Sequence, residues 1–404
     1  MDSDFRSRFV PMQRQELTKL LNEEIEEKKQ KRYSQLSTLI HHTIHHEFHE
    51  RIEKCRDLYR SFDPDPITKS VLNEEGDVDS FQNELKDILT DANFRAVSDE
   101  ELEAAFNSES LFPLSVGVNL DDYETIMLYR RGETKRTEKV RNWQTLYQWK
   151  EIEIESFDRL VVVLRLKKEA IENNKDLTRI KEMEAGKVYL KFFKNIPKAD
   201  VEMVLPNARL AMRPLDKLML GGPLAAGAFS SITKLFLSLG AATAGGASLT
   251  YDNPALRFVG ALLLLMAGYL MKGLSGYKNT KLVYMQTLSQ GLYFKNLANN
   301  ASVVYQLLRL AEDEEIKEAL LAYHFLYKSK KPISMQELDK QVETWFENKF
   351  NRKFDFEVDD GLDKLRKLEL VKDNEQKLEA VPLEKAVTLL DDRWDNYFIS
   401  DKKY

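Results

Sequence analysis

A long stretch of this chain carries almost no charge. Ten of the sixteen glycines fall within 221–276, and Lys234 is the only Lys, Arg, Asp or Glu between residues 218 and 251. The sequence on both sides is densely charged. Water solvates such a segment poorly, and about 20 predominantly apolar residues are enough to cross a bilayer. The composition therefore predicts a membrane-embedded segment over residues 218–275.

We expect this segment to form a transmembrane helical hairpin with crossings at about 229–249 and 255–275. The apolar side chains of the second crossing supply roughly −3 to −5 kcal/mol of insertion free energy. The first crossing is weaker because its lysine must reach the headgroups. Small residues spaced four apart let the two helices approach closely in lipid. The residues predicted to pack the hairpin are Gly240, Ala244, Gly245, Gly246 and Lys234.

The charges around the hairpin predict its orientation. Three cationic residues precede it and three follow it, whereas the turn has only Arg257 at its edge. Positive charge stays on the cytoplasmic side, so both termini should be cytoplasmic. We therefore expect a multi-pass membrane protein of a bacterial inner membrane or, in a eukaryote, of an organelle membrane. The other reading is a hairpin buried in a soluble core.

The sequence on both sides of the hairpin indicates mainly helix, together with an α+β region in the middle of the chain. Strands are predicted from YETIMLYRR, KEIEIES, DRLVVVLRLKK and KVYLKFFK, and helices from KADVEMVLP and NARLAMRPLDKLML. Residues 277–330 read as helix with a break at the ANN of 298–300. The predicted regions are an N-terminal helical region at 1–110, an α+β domain at 111–217, the hairpin at 218–275, a helical connector at 276–330 and a C-terminal domain at 331–404.

The C-terminal region predicts a winged-helix-like arrangement. Ser334 and Glu337 have the spacing of a capping box, as do Ser98 and Glu101 earlier in the chain. A hairpin is predicted near Asp373, and helix, helix, helix and hairpin is the winged-helix order. From residue 334 to 398 acidic side chains outnumber basic ones by six, a balance that repels DNA. We expect protein docking there and no nucleic-acid partner.

Five of the six histidines lie in HHTIHHEFHE, residues 41–50. On a helix these side chains form one arc with several i,i+4 pairs, a spacing that can chelate a transition metal. The residues predicted to bind a divalent metal are His42, His45 and His49. Two other readings stay open: a polar helix face that uses histidine, and a proton sensor.

Little else in the sequence indicates chemistry. Asp63 and Asp65 in SFDPDP could bind a cation, but such a turn is more often a helix stop. Cys55 is the single cysteine, which excludes an internal disulfide and a multi-thiolate metal site. HExxH, GxSxG and Walker motifs are missing from the sequence. The sequence therefore favours a non-enzymatic protein with no cofactor beyond the metal hypothesis.

Several longer stretches resemble a known family. They are RFVPMQRQEL at 8–17, SFDPD at 61–65, VYLKFFKNIPKADVEMVLP at 188–206, the paired apolar segments, and LYFKNLANNASVVYQLLRLAEDEEIKEALLAYHFL at 292–326. Together they resemble the transmembrane protein 143-like proteins, catalogued as domain of unknown function 3754. The resemblance implies an integral membrane protein with two spanning helices, and it implies no reaction.

The leading hypothesis is a membrane-anchored interaction or scaffold module on the cytoplasmic side, oligomeric through its small-residue face. Its expected partners are the lipid bilayer and either further copies of this chain or another membrane protein. One alternative is a metal-dependent enzyme, or a metal- or pH-sensing factor, that uses the histidines of 41–49. Another is an oligomeric channel or transporter component in which Lys234 lines the path.

Overall fold

The computed structural model of this protein describes residues 8–66, 68, 76–98, 100–103, 114–140, 150–174, 177–212, 291–374 and 377–397, and single positions between 264 and 286. The chain divides into two compact units. The first combines residues of Met1–Leu102, Asp121–Lys198 and Asn296–Tyr404, and the second combines Glu103–Leu120 with Ala199–Lys295.

Helices dominate the first unit. Helix α2, Glu27–Tyr59, has apolar side chains at Leu36, Ile40, Ile44 and Phe48, and their spacing of four in the sequence places them on one buried face. The helices are α1 (Arg14–Glu23), α2 (Glu27–Tyr59), α3 (Val78–Asp91), α4 (Lys168–Asn173), α5 (Thr178–Lys181), α6 (Ala301–Ser329), α7 (Met335–Phe350), α8 (Val358–Lys367) and α9 (Leu383–Asp395).

An antiparallel sheet completes the first unit. Its strand order is β1-β3-β4-β5-β7, and every residue from Leu160 to Leu164 on β4 is buried. A continuous apolar run of this kind indicates that both sheet faces are covered there. The strands among the described residues are β1 (Arg95–Ala96), β2 (Leu114–Gly117), β3 (Tyr123–Val140), β4 (Lys150–Leu166), β5 (Tyr189–Pro197), β6 (Arg209–Met212), β7 (Asn296–Asn299), β8 (Val371–Asn374) and β9 (Lys377–Ala380).

Helix α6 lies at the centre of the first unit. It contacts α1, α2, α3, α7 and α8, and also β5, β7 and β9. Because so many elements surround it, several polar side chains from Glu314 onward are buried together with the apolar ones. Glu314, Lys317, Glu318 and His324 are all at most 3% exposed. Groups of this kind must find partners inside the protein.

The second unit has few described residues. Strands β2 and β6 pair in antiparallel register from Leu114↔Met212 to Gly117↔Arg209. The Asn207 amide donates to the Asn119 carbonyl oxygen at 2.6 Å. A 3₁₀ helix, Lys198–Val204, begins at the end of β5.

The predicted transmembrane hairpin is contradicted. Among the described residues, no helix is both long enough and apolar enough to cross a bilayer. Helices α2 and α6 have the length, with 33 and 29 residues, but both carry many charged side chains, and a crossing needs about 20 apolar residues. The expectation of a multi-pass membrane protein, which depended on this hairpin, is contradicted by the same finding. The predicted crossings, 229–249 and 255–275, fall almost entirely outside the described residues.

Local predictions have mixed outcomes. Both capping boxes are confirmed by reciprocal bonds, Ser98 with Glu101 and Ser334 with Glu337. The hairpin β8–β9 and the break at 298–300 are also confirmed. The helix predicted over NARLAMRPLDKLML is wrong at β6, because those residues pair with β2. Within 331–404 the described helices α7 and α8 precede the hairpin β8–β9 and α9 follows it, so the three-helix order expected for a winged-helix-like domain is not found there.

Candidate functional site

A cleft of about 720 Å³ lies where the end of α2 meets the start of α6. We name it the Asp65–Asn300 cleft. Its wall mixes two arginines, three aspartates, amides, hydroxyl groups and apolar side chains. The lining residues are Ile52, Arg56, Asp57, Tyr59, Arg60, Asp63, Asp65, Pro66, Thr68, Asn299, Asn300, Ala301, Ser302, Val304 and Tyr305.

The SFDPD turn forms one wall. Helix α2 ends at Tyr59, and prolines disfavour helix in the residues before them. The Asp65 backbone N–H donates to Asp63 Oδ1 at 3.0 Å, which tightens the turn. The Tyr59 hydroxyl donates to the Val188 carbonyl at 2.8 Å, and burial raises the pKa of Tyr59 well above its ordinary value. The turn is thereby fixed to the start of β5.

Asn300 forms the opposite wall and joins three segments. Its backbone N–H donates to the Leu190 carbonyl at 2.8 Å, and its Oδ1 accepts from the Leu190 N–H at 3.2 Å. Its Nδ2 donates to Asp65 Oδ2. One buried side chain therefore connects the turn after α2, strand β5 and the start of α6.

The backbone of Asn300 is strained. Its φ of 50° and ψ of −127° lie in a region that side-chain-bearing residues rarely adopt. Such a conformation costs roughly 1–3 kcal/mol and persists only when the surroundings enforce it. Here the three hydrogen bonds to Asp65 and Leu190 enforce it. Backbone strain of this size is found preferentially at ligand-binding and active sites.

Cationic groups continue around Asn299. Lys191 Nζ donates to Asn299 Oδ1 at 3.3 Å. Burial lowers the pKa of Lys191, and Arg179 lowers it further while Asp65 opposes the shift. Arg56, which pairs with Glu53 in the last turns of α2, and Arg60, the residue after α2, are four positions apart and both line the cleft. This side of the cleft is therefore suited to an anionic group.

The chemistry available in the cleft is recognition of a mixed-polarity molecule. Guanidinium groups bind carboxylate or phosphate in a bidentate manner. The Asp63 and Asp65 carboxylates accept hydrogen bonds from hydroxyl or ammonium groups. Tyr305, 43% exposed, offers an aromatic face. The volume lies in the range of about 300–1,000 Å³ typical of small-molecule sites.

A second cavity, of about 390 Å³, differs in kind. Five of its seven charged lining residues take part in ion pairs. Arg51 contacts Glu84 at 2.9 Å and Asp91 at 2.5 Å, and Lys364 bridges Glu47 and Glu315. These pairs hold α2, α3, α6 and α8 together, which indicates a structural role.

The predicted metal ligands lie on α2 as expected, but they are not gathered around one point. His45 Nδ1 lies 2.9 Å from Glu312 Oε1, while the His42 ring is 6.2 Å from the ring of Trp394 on α9. His49 is exposed. In the described part of the chain, no group of three or more His, Cys, Asp or Glu is placed to hold a metal ion. Metal binding by His42, His45 and His49 stays a prediction.

The residues predicted to pack the transmembrane hairpin all lie outside the described residues. They are Gly240, Ala244, Gly245, Gly246 and Lys234.

The cleft residues were only partly visible in the sequence. Asp63 and Asp65 stand out as a carboxylate pair, whereas Asn299 and Asn300 read as a helix break. The available signal was that SFDPD, KVYLKFFK and ANN all lie in stretches that carry the family resemblance. Their meeting at one place depends on the pairing of β5 with β7.

Comparison with known proteins gives a match to one family model and to no solved structure. A family model described as "Protein of unknown function (DUF3754)" matches residues 123–302. The matched stretch begins at β3 and ends in the first turn of α6, so it includes Asn299 and Asn300 but not the SFDPD turn. Residues 123–302, which are less than half of the chain, are therefore similar to this family of unknown function.

Proposed function

We propose that this protein is a binding module whose Asp65–Asn300 cleft recognises a small polar molecule with an anionic group. The observation that carries the proposal is the strained backbone of Asn300 at the wall of a cleft of ligand size. A turn that served only to connect β7 to α6 could use glycine without strain. Asparagine adds the amide that fixes Asp65 and Leu190 around the cleft.

The lining supports an anion with further polar groups on the same molecule. Arg56 and Arg60 suit a phosphate or carboxylate, while Asp63 and Asp65 suit hydroxyl groups. A sugar phosphate or a nucleoside monophosphate combines these features, with Tyr305 available to the base in the second case.

Thermal-shift measurements followed by calorimetry test this proposal. The full chain is screened with glucose 6-phosphate, ribose 5-phosphate, AMP, CMP, citrate and inorganic phosphate. We expect at least one organic anion to raise Tm, because a ligand that binds only the folded state stabilises it. Arg56→Gln should weaken that binding at least tenfold.

Arg32→Gln is the matched control. Arg32 lies on the same helix but 24 residues earlier, about 36 Å away at the helical rise per residue. It should leave ligand affinity unchanged. If no compound in the screen shifts Tm, or if Arg56→Gln and Arg32→Gln affect binding equally, the cleft is not this site.

Two further statements about this protein are also proposals: its closer family relationship and its self-association. The DUF3754 match agrees with the resemblance to transmembrane protein 143-like proteins at the level of the domain, and we retain that closer relationship as a proposal. Self-association and the lack of a nucleic-acid partner also remain proposals. The interaction module that we propose does not include a membrane anchor.

A further inference from the structure

Residues Arg8–Met12 lie against the middle of α6, and we name them the strap. Buried charged side chains hold the strap through its backbone. Glu314 Oε2 accepts from the Val10 N–H at 3.0 Å. Lys317 Nζ donates to the carbonyl oxygens of Val10 at 3.1 Å and of Met12 at 3.4 Å.

The strap side chains are recognised as well. The Phe9 ring covers the Arg131 guanidinium at 4.4 Å from Cζ to the ring centroid, which is cation–π geometry. Arg8 Nε lies 2.9 Å from Glu357 and 3.3 Å from Asp355. Val10 is 1% exposed. These contacts form a complete recognition site for an extended peptide, which we name the strap groove: Arg131, Glu314, Lys317, Asp355 and Glu357.

The buried charges of the strap groove on α6, Glu314 and Lys317, stay paired without the strap. Glu314 Oε1 accepts from Arg131 Nη2 at 2.7 Å and from Lys317 Nζ at 2.6 Å. Lys317 also lies 3.2 Å from Asp313. If the strap left, Glu314 and Lys317 would therefore still have charged partners. A buried charge without a partner is what usually makes emptying such a groove unfavourable.

The connection between the strap and α1 is short. Only Gln13 separates Met12 from Arg14, the first residue of α1. Gln13 has an extended backbone, and its side chain makes no capping hydrogen bond to the helix. The strap can therefore change direction at this residue while α1 stays packed on α2 and α6.

We propose that the strap groove is a peptide-docking site and that, in the assembled protein, the strap of a second copy of this chain occupies it. A reciprocal exchange keeps every contact described above, because each copy gives one strap and receives one. Five residues span at most about 17 Å, so the two grooves of an exchanged pair face each other at short range. This inference concerns a surface separate from the Asp65–Asn300 cleft and does not rest on it.

Two full-length variants with reversed charges test the exchange. One carries Arg8→Glu and the other carries Asp355→Lys with Glu357→Lys. In each variant alone, the strap and the groove have like charges. In a mixture, each strap meets a complementary groove on the other chain. Native mass spectrometry should show at least ten times more mixed dimer than dimer of either variant alone.

The triple variant Arg8→Glu/Asp355→Lys/Glu357→Lys is the control, because it restores complementarity within one chain and should associate as the wild type does. The altered side chains are 26–45% exposed, so the folded state should tolerate the changes. Circular dichroism checks this. Folded variants that form no mixed dimer would overturn the proposal.

A labelled peptide of residues 4–16 gives a second measurement. Its Arg8 suits the groove of the full-length Arg8→Glu chain, whose own strap is weakened. Fluorescence anisotropy should show binding at least tenfold tighter than to the Asp355→Lys/Glu357→Lys chain. Equal binding to both chains, or binding to neither, would overturn the proposal.

Discussion

Helices α2 and α6 differ in where they place their polar side chains. Along α2 no Lys, Arg, Asp, Glu or His is fully buried: His42, His45 and His49 are exposed, and His41 and His46 are half-buried. Helix α6 buries Glu314, Lys317, Glu318 and the sixth histidine, His324. Helix α2 therefore behaves as an amphipathic surface helix, whereas α6 is surrounded on every side from Ile316 to Leu326. A charge in the sequence does not by itself indicate exposure.

The two histidine environments show this difference most clearly. His324 is fully buried, with Nδ1 at 3.0 Å from the Tyr33 hydroxyl and Nε2 at 3.4 Å from Glu24. Burial lowers the pKa of His324 to about 4, and Lys328 contributes to the shift. Burial alone would raise the pKa of Glu24, but hydrogen bonds from Lys328, Trp345 and Lys349 lower it to about 2. None of the histidines on α2 is fully buried, although partial burial lowers the pKa of His41 to about 4 as well. The inconspicuous His324 is the core residue.

The largest expected effect is at Glu314. Glu314→Ala leaves Arg131 and Lys317 without their shared carboxylate, so we expect a loss of about 3–5 kcal/mol in the free energy of unfolding. Urea denaturation measures it. Glu50→Ala, on the exposed side of α2, should cost no more than about 0.5 kcal/mol. Similar losses for the two variants would break the contrast between the helices.

Acid should weaken the α6 side through His324. Its folded pKa is depressed, so its contribution is complete above its ordinary pKa of 6.5 and is lost as the pH falls toward 4. Between pH 7 and 5 this amounts to about 2 kcal/mol. Urea denaturation at both pH values should show a smaller difference for His324→Phe than for the wild type. His49→Gln should keep the wild-type difference, and a wild-type difference retained by His324→Phe would refute the assignment.

The close approach of α8 to α6 predicts a steric effect. A Cβ at Gly361 would lie 2.9 Å from the Glu318 carbonyl oxygen, which is backbone and cannot rotate away. Gly361→Ala should therefore lower the free energy of unfolding by about 1–3 kcal/mol. Gly291→Ala, a helical position with open space, should change it by at most about 1 kcal/mol in the stabilising direction. Thermal denaturation compares them, and equal Tm values would contradict the packing.

The smallest effect is expected on α2. Replacing His42, His45 and His49 together by glutamine removes only surface contacts, among them the half-exposed pair of His45 with Glu312. We expect a change below about 1 kcal/mol. Thermal denaturation with and without zinc checks both this and the metal hypothesis. A zinc-dependent rise in Tm of the wild type, missing from the variant, would show that these histidines bind metal.

Local patterns in the sequence predicted many of the helices and strands correctly. Side-chain spacing placed the apolar face of α2, and the β-branched runs placed β3, β4 and β5. The cap of α7 followed from Ser334 and Glu337. Each of these features depends on neighbours within about four residues. The transmembrane hairpin was inferred from composition alone, and no described helix has the required length and apolar character.

Contacts between distant residues were not predictable in the same way. Strand β7 lies in a stretch that read as helix, because pairing with β5 outweighs local preference there. The strained Asn300, its bond to Asp65 235 positions away, and the strap over Glu314 depend on the same assembly.

The sequence alone established a helical protein with one amphipathic histidine-bearing helix, a β-rich middle and well-defined helix starts, since periodicity and capping act over a few residues. Only the tertiary structure decided which charges are buried, which asparagine is strained and which motifs share a cleft. The physical reason is that burial depends on what surrounds an element on all sides, and for α6 those neighbours come from every part of the first unit.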